Sequence, residues 1–395
     1  MNSAIDSAES LVTIDNWRPR QPSSNYVMQG LATKKALDTY HLILAPTHAC
    51  NLRCRHCYLP DHAAQLLPEA VALRLVEEWS EVSLDERGAF GGIFHVKGGE
   101  PFVVPYLKKI MERLVELQSL RLMLTTNGTY TSAKVLESLR KCNDGLHGHV
   151  TVIVSLDGAF SATHDALRGA GQFEITVGFL RSLRAMNVQA HLNCVLHAGN
   201  VKEVPAYIGL AKDLGVDQIN FLPLVPKGFG IELQSMQVPH LVLHRELQAV
   251  YETGDQATKK LLAGSLSHIL DREETEHVTP AHECVAAYRG LFYITPEGNV
   301  YTCPNLVNTE HKIGTVYGAS LRELCDSLPT LYANLRPQAG FDDRLICTGE
   351  RVLYEKTGQT LSLQNLRSLQ AKAGSPPTLK SESRKAVAFC VSRNF

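Results

Sequence analysis

From Tyr40 the chain alternates short apolar runs with amphipathic stretches, and this alternation predicts strand and helix in turn. Leu42–Ala45 reads as a buried strand. A helix follows at about Pro68–Val82, with Val71, Leu75, Trp79 and Val82 on one face and Pro68 suited to its first position. Ile93–Val96 is the next strand, and a helix from Pro105 buries Leu107, Ile110, Leu114 and Leu117. Strand Arg121–Thr125, a helix near Ser132–Leu139 and strand Val150–Ser155 come next. A helix near Glu174–Met186 carries Ile175, Phe179, Leu183 and Met186 on one stripe. Strand Val188–Leu196, a helix near Val201–Leu214 stopped by Gly215, and strand Gln218–Leu222 complete the series. About six β/α units result, so the fold class is α/β, a parallel sheet with helices outside and function at the carboxyl ends of the strands. Strand number alone does not separate a partial barrel from a flat doubly wound sheet.

The flanks read differently. Residues 1–39 are sparse in apolar positions apart from Trp17, Val27, Met28 and Leu31, which suggests an extended arm. Residues 238–275 read as two helices. Tyr293–Thr295 and Val300–Thr302, joined by Pro296-Glu297-Gly298-Asn299, read as a hairpin, followed by a short helix near Leu321–Ser327. Helical propensity is weak from Pro337 to Lys380, and the tail is basic at Lys380, Arg384, Lys385 and Arg393.

Composition narrows the function classes. The 395 residues suffice for two or three domains, and 39 basic against 40 acidic residues leave no field to gather nucleic acid or an anionic membrane. The polar start with Asp6 and Glu9 is unlike a signal peptide, and no apolar run reaches membrane-spanning length. Ten cysteines in such a chain fit a reducing cytoplasm and metal ligation better than a disulfide framework.

Three of them, Cys50, Cys54 and Cys57, form CxxxCxxC just after the first strand. Three thiolates can hold three irons of a 4Fe–4S cluster and leave the fourth iron open, whereas ferredoxin-type runs supply four. A zinc site completed by His48 or His56 is the alternative that the cysteines alone leave open. Further motifs follow in order: Gly98-Gly99-Glu100-Pro101, Thr126-Asn127-Gly128, Ser155-Leu156-Asp157-Gly158, and His164-Asp165 with Arg168. Each lies just past a predicted strand, or follows one closely.

Together these motifs resemble the radical S-adenosylmethionine (SAM) superfamily, firmly over residues 40–225. The resemblance implies a partial (β/α)6 barrel open on one side. It implies that Cys50, Cys54 and Cys57 hold a 4Fe–4S cluster whose open iron binds SAM, and that reductive cleavage of SAM yields a 5′-deoxyadenosyl radical. Gly98 and Gly99 would then let backbone approach the methionine end of SAM, and Glu100 would accept from its ammonium. Asn127 would face the methionyl or ribose group, Ser155 would hydrogen-bond SAM, and Arg168 would pair with its carboxylate. Asp157 caps backbone amides or meets substrate. Lys97 stands where peptide-maturing relatives often carry His, a departure on the substrate side.

Cys284, Gly298 and Cys303, spaced C-x13-G-x4-C, resemble the opening of a SPASM or twitch domain, which holds auxiliary clusters. Two auxiliary clusters need seven or eight thiolates, and residues 284–395 offer five: Cys284, Cys303, Cys325, Cys347 and Cys390. At most one auxiliary cluster is expected, with Cys284, Cys303 and Cys347 as candidate ligands. A decayed domain without metal is the alternative. Cys325 reads as a helix core residue, Cys390 as a late ligand or a buried thiol, and Cys142 and Cys194 as structural.

The expected division is an arm over 1–39, the barrel over 40–235, a helical bridge over 236–281, and a SPASM/twitch-like domain with tail over 282–395. The Cys57-Tyr58-Leu59-Pro60-Asp61 loop and the Asn-x-x-x-Val-Pro context at 200–205 resemble maturases of ribosomally made peptides, including cyclophane-forming ones. Oxidation or crosslinking of a peptide side chain is the first reading. A dehydrogenase of an aminocyclitol-like alcohol and a sulfatase-type maturase are the alternative enzymes, and a non-catalytic iron–sulfur scaffold or sensor is a third class. Expected partners are a precursor peptide and an electron donor such as flavodoxin or ferredoxin; since 39 residues are too few for a winged-helix leader domain, leader recognition is expected from a separate leader-binding protein, the helical segment 238–275 or the basic tail. The catalytic base stays unassigned, with Asp342 and Asp343 named only for their nearness to Cys347.

Overall fold

The computed structural model describes residues 40–238, 240–262, 290–307 and 311–332. The expected arm, Cys284, Cys347, Cys390, Asp342, Asp343 and the basic tail lie outside the described residues.

The predicted alternation is present with boundaries moved by a few residues. The strands are β1 (Tyr40–Leu44), β2 (Gly92–Val96), β3 (Leu120–Thr126), β4 (Val150–Ser155), β5 (Gln189–Leu196) and β6 (Gln218–Pro223). The helices between them are α1 (Glu69–Arg87), α2 (Leu107–Leu117), α3 (Ala133–Gly145), α4 (Ser161–Arg168), α5 (Gln172–Ala185) and α6 (Val204–Leu214). Pro68 caps α1, Ser132 Oγ accepts from Val135 N at the start of α3, and Gly215 closes α6 in the left-handed region. Helix α4, eight residues directly after the Ser155–Gly158 motif, is an element that the hydrophobic pattern did not reveal. On α5 the stripe is displaced: Phe179 and Leu183 are buried, but Ile175 is 40% exposed and Thr176 and Val177 turn inward instead.

Strand order decides between barrel and flat sheet. The strands run β6-β5-β4-β3-β2-β1, all parallel. Every crossover steps one place in the same direction. Right-handed crossovers therefore put every helix on one face, whereas a doubly wound sheet needs a reversal of order. Tyr40, Leu42 and Leu44 of β1, Phe94 and Val96 of β2, and Leu122 and Leu124 of β3 join the helices in the main core. The alternate residues line the opposite, inner face, where Ile93, Met123 and Ile153 form a separate small cluster. The other side of β1 pairs with β7 (Leu291–Ile294), not with β6, so the barrel is open.

The predicted hairpin is β7 with β8 (Asn299–Tyr301), turned through Gly298 at φ 79°, and β9 (Gly314–Thr315) adds to it. It is fixed to the barrel by the β1–β7 ladder and by α9 (Leu321–Tyr332), where Leu321 N donates to Glu78 Oε2 at 2.8 Å. Trp79 of α1 packs against both Tyr40 and Phe292, and its ring N–H donates to Ile93 O at 2.9 Å. Between barrel and hairpin, α7 (His240–Thr253) packs on α6, and α8 (256–262) follows. Among the described residues no helix is long and apolar enough to cross a membrane.

Candidate functional site

The chain leaves β1 into the cysteine loop, which is gripped from two sides at the carboxyl ends of the strands. On one side Gly99 N donates to Thr47 O at 3.0 Å and Glu100 N to Ala49 O at 2.9 Å. A Cβ at Gly98 would stand 2.5 Å from Thr47 O, and one at Gly99 2.1 Å from Ala49 O. The space left by these missing side chains is filled by the loop's own backbone. That is a different reason for two glycines from the approach of SAM expected above. On the other side Arg55 N donates to Leu167 O at 2.9 Å and Gly230 N to Cys57 O at 3.1 Å, while a Cβ at Gly228 would meet Leu59 O at 2.1 Å. Gly228, after which the alternating pattern of the sequence changes, and Gly230 lie just after β6, and the sequence alone assigns neither a role at the site. Their spacing, directly after the last strand, was the available signal.

Cys50, Cys54 and Cys57 are free, half-buried thiols. Burial pushes all three upward, Cys54 to about 11; charges on Cys50 and Cys57 raise Cys54 further, and a charge on Cys50 raises Cys57. A bound metal inverts this, because it takes the thiolate outright. Donors suited to thiolate sulfur are present: Leu52 N at 3.4 Å and Asn127 Nδ2 at 3.7 Å from Cys50, and Arg168 Nη1 at 3.8 Å from Cys54. Among the described residues no three or more His, Cys, Asp or Glu side chains meet as ligands of one ion would. A cluster offers each thiolate its own iron, and three thiols within one another's electrostatic reach, with N–H donors beside them, fit that group.

Glu100 is fully buried. Its Oε1 accepts from Thr126 Oγ1 at 2.8 Å and Phe102 N at 3.2 Å, and its Oε2 from Asn127 N at 2.8 Å. Burial raises its carboxyl to about 7 against these donors. Asn127 Nδ2 also reaches Asn51 Oδ1 at 2.9 Å, and its Oδ1 accepts from Thr129 N at 3.0 Å. The Thr126-Asn127-Gly128 motif therefore holds the cysteine loop, and Gly128, at φ 74°, makes the turn that permits it.

Ser155 ends β4 half-buried on the inner face, and among the described residues no group hydrogen-bonds its hydroxyl. Two residues on, Asp157 is fully buried. Its Oδ1 accepts from Val195 N at 2.8 Å, and its Oδ2 lies 2.5 Å from Arg168 Nε and 3.1 Å from His56 Nε2. Burial works against its charge, but Arg168 and His56 outweigh burial and hold the carboxyl well below the usual range. The expected capping of a backbone amide is present. The pairing of Asp157 with Arg168 and His56 is not expected from the sequence: His56 is distant in the chain, and the short helix α4 that returns Arg168 to Asp157 leaves little apolar trace. Arg168 is thus tied between Asp157 and Cys54.

The inner face carries polar groups beside its small apolar cluster. His41 Nε2 and His95 Nδ1 are 3.2 Å apart, and His95 Nε2 reaches Thr125 Oγ1 at 2.8 Å. Burial keeps both imidazoles neutral, with His41 lowered to about 3, and His191 is lowered to about 4. Lys97 continues the inward column of β2, is lowered to about 8 by burial, and sits 5.6 Å from the centroid of the Tyr58 ring. Cys303 is 1% exposed, and its charge acts on both Lys97 and Lys227. Its expected co-ligands Cys284 and Cys347 lie outside the described residues. Cys325, Cys142 and Cys194 are buried in the main core, as structural cysteines should be.

Residues 44–211 match the family described as the Radical SAM superfamily. The chain is 29% identical over 272 residues to an AdoMet-dependent heme synthase of Methanosarcina barkeri, covering 65% of this chain and 74% of the relative. It is 25% identical over 271 residues to the mycofactocin maturase MftC of Mycobacterium tuberculosis, covering 68% and 66%. It is 24% identical over 265 residues to the PqqA peptide cyclase of Streptomyces rochei, covering 67% and 68%. The fold is similar to Streptococcus suis SuiB bound to precursor peptide SuiA, with TM-score 0.59, 15% identity and coverage of 78% and 70%. It is also similar to anSMEcpe with bound AdoMet and the Cp18Cys peptide, with TM-score 0.61, 17% identity and coverage of 84% and 96%.

Proposed function

Since residues 44–211 constitute a radical SAM domain, we propose that this enzyme oxidatively modifies a side chain of a ribosomally made peptide, by crosslinking or oxidation. When bound, the cluster and SAM supply hydrogen-atom abstraction from an unactivated C–H bond. Cys50, Cys54 and Cys57 hold the cluster. Glu100 and Asn127 fix the cysteine loop against β3, and Gly98, Gly99, Gly228 and Gly230 let that loop lie close over the strand ends. Ser155, whose hydroxyl has no bond within the described residues, is the group at a strand end free to bind SAM. Arg168 remains within the same site, where its guanidinium meets anionic groups.

The observation that carries the peptide reading is the open barrel. β6 and β1 do not pair, and the inner face beneath the cysteine loop is lined by His95, Lys97, Thr125 and Ser155. An extended chain can lie along such an opening and insert one side chain, whereas a small polyol calls for a pocket that encloses it. Relatives named for peptide maturation and cyclisation, and fold neighbours solved with peptides, support the same reading.

The barrel extends over residues 40–235 and the bridge over 236–281. From 282 an auxiliary-cluster domain uses Cys303 with Cys284 and Cys347. A low-potential flavodoxin or ferredoxin supplies electrons. Among the described residues seven cysteines lie outside any disulfide, which suits a reducing cytoplasm.

The test is anaerobic coexpression with a candidate peptide encoded beside the gene, followed by intact mass and fragmentation. Loss of two hydrogens localised to a side chain is expected. An unmodified peptide, from an enzyme that still cleaves SAM and alters a small alcohol or a tetrapyrrole, would overturn the reading.

A further inference from the structure

We infer that Asp157, acting through Arg168, is a positioning residue that sets the reduction potential of the cluster held by Cys50, Cys54 and Cys57. The inference rests on the cluster assignment above. Arg168 ends α4 with its side chain 10% exposed, and Asp157 is fully buried. The guanidinium is aimed by two bonds of opposite purpose. Its Nε binds Asp157 Oδ2 at 2.5 Å, and its Nη1 points at Cys54 Sγ, 3.8 Å away. Asp157 cannot swing to follow it, because its other oxygen accepts from the β5 backbone at Val195 N and its own carbonyl accepts from Asn200 Nδ2 at 2.9 Å. The same Oδ2 lies 3.1 Å from His56 Nε2, a residue of the cysteine loop itself.

The three thiols are not equivalent. Cys50 receives neutral donors, a backbone N–H and the Asn127 amide, while Cys54 receives a cation. For a given cluster type and exposure, net charge and hydrogen bonds to sulfur set the iron–sulfur potential. Reduction adds negative charge, so the Arg168 cation favours the reduced cluster and raises its potential. The Asp157 carboxylate opposes it and keeps the potential low. Burial keeps both effects large, since little water intervenes to screen them. The arrangement therefore makes a signed prediction that a scaffolding role would not.

The test is an EPR-monitored redox titration of the full-length, anaerobically reconstituted chain without SAM or peptide. Arg168→Met should lower the midpoint and Asp157→Asn should raise it. Each shift should be on the order of tenfold in the reduced-to-oxidised ratio, about 59 mV for a one-electron couple. Asp157→Glu, which keeps the charge, should return the potential towards that of the parent chain. Potentials that move in the same direction in the first two variants, or not at all, overturn the inference. If Arg168→Met holds no iron, Arg168→Lys carries the test: it keeps the charge and loses the fork, so a smaller fall is expected and an unchanged potential is contrary. A parent chain with no 4Fe–4S signal would instead defeat the cluster assignment itself, before any variant is compared.

Discussion

Glu100 Oε2 accepts the backbone N–H of Asn127 at 2.8 Å, so the ends of the second and third strands share one buried carboxylate. Through that bond the Asn127 amide is held where it meets Cys50 and Asn51. Gln at position 100 would turn an amino group toward one of the three donors. Glu100→Gln is expected to cost about 1–3 kcal/mol in urea unfolding. It should also lower iron retention after reconstitution. An unchanged unfolding midpoint would count against the carboxylate as a tie between strands.

Two glycines give opposite outcomes for the same substitution. Gly99→Ala drives a methyl against Ala49 O and should destabilise the chain by about 1–3 kcal/mol, on the order of an overpacked core change, and lose iron. Gly178→Ala lies within α5, where a Cβ meets nothing within 4 Å, and should stabilise by about 0.5–1 kcal/mol. Parallel denaturant titrations of the two variants measure both. Equal effects would mean that the loop can move away from β2 freely.

Acid should unfold this chain partly through its inner-face histidines. Burial lowers His191 to about 4 in the folded state, against about 6.5 unfolded. Between those values the unfolded chain binds the extra proton, so stability rises with pH across the window and is lost as pH falls from 6.5 to 4. The loss due to this one group is about 3 kcal/mol. His191→Gln should flatten the pH dependence of the unfolding free energy by that amount between pH 6.5 and 4. The same slope in variant and parent chain would show that water reaches the imidazole.

Hydrophobic periodicity made the barrel legible because each strand and helix buries residues at its own local spacing. β4 was read to the residue, and the strand-end motifs fell where a parallel fold puts its chemistry. What the pattern did not carry was set by partners far along the chain or by elements too short to show an apolar stripe. Asp157 finds Arg168 through α4, a short helix with only His164 and Leu167 buried, so it leaves little apolar trace. Cys57 O finds Gly230 N across the whole barrel. Gly98 and Gly99 were recognised by motif, but the reason for them at this level is the carbonyls of Thr47 and Ala49. The polar inner face did leave a local sign: His41, His95, Lys97, Thr125 and Ser155 sit at inward positions in strands that otherwise read as continuously apolar.

The central claim is that Cys50, Cys54 and Cys57 hold a SAM-cleaving cluster, and it is tested most directly by replacing all three with Ala. The measurement is iron content with EPR after anaerobic reconstitution, together with 5′-deoxyadenosine formed from SAM under a strong reductant. The variant should form no 5′-deoxyadenosine and lose about four irons. It should keep a second, spectroscopically distinct cluster that a further Cys303→Ala change removes and a Cys325→Ala change does not. Continued 5′-deoxyadenosine formation by the triple variant would contradict the account.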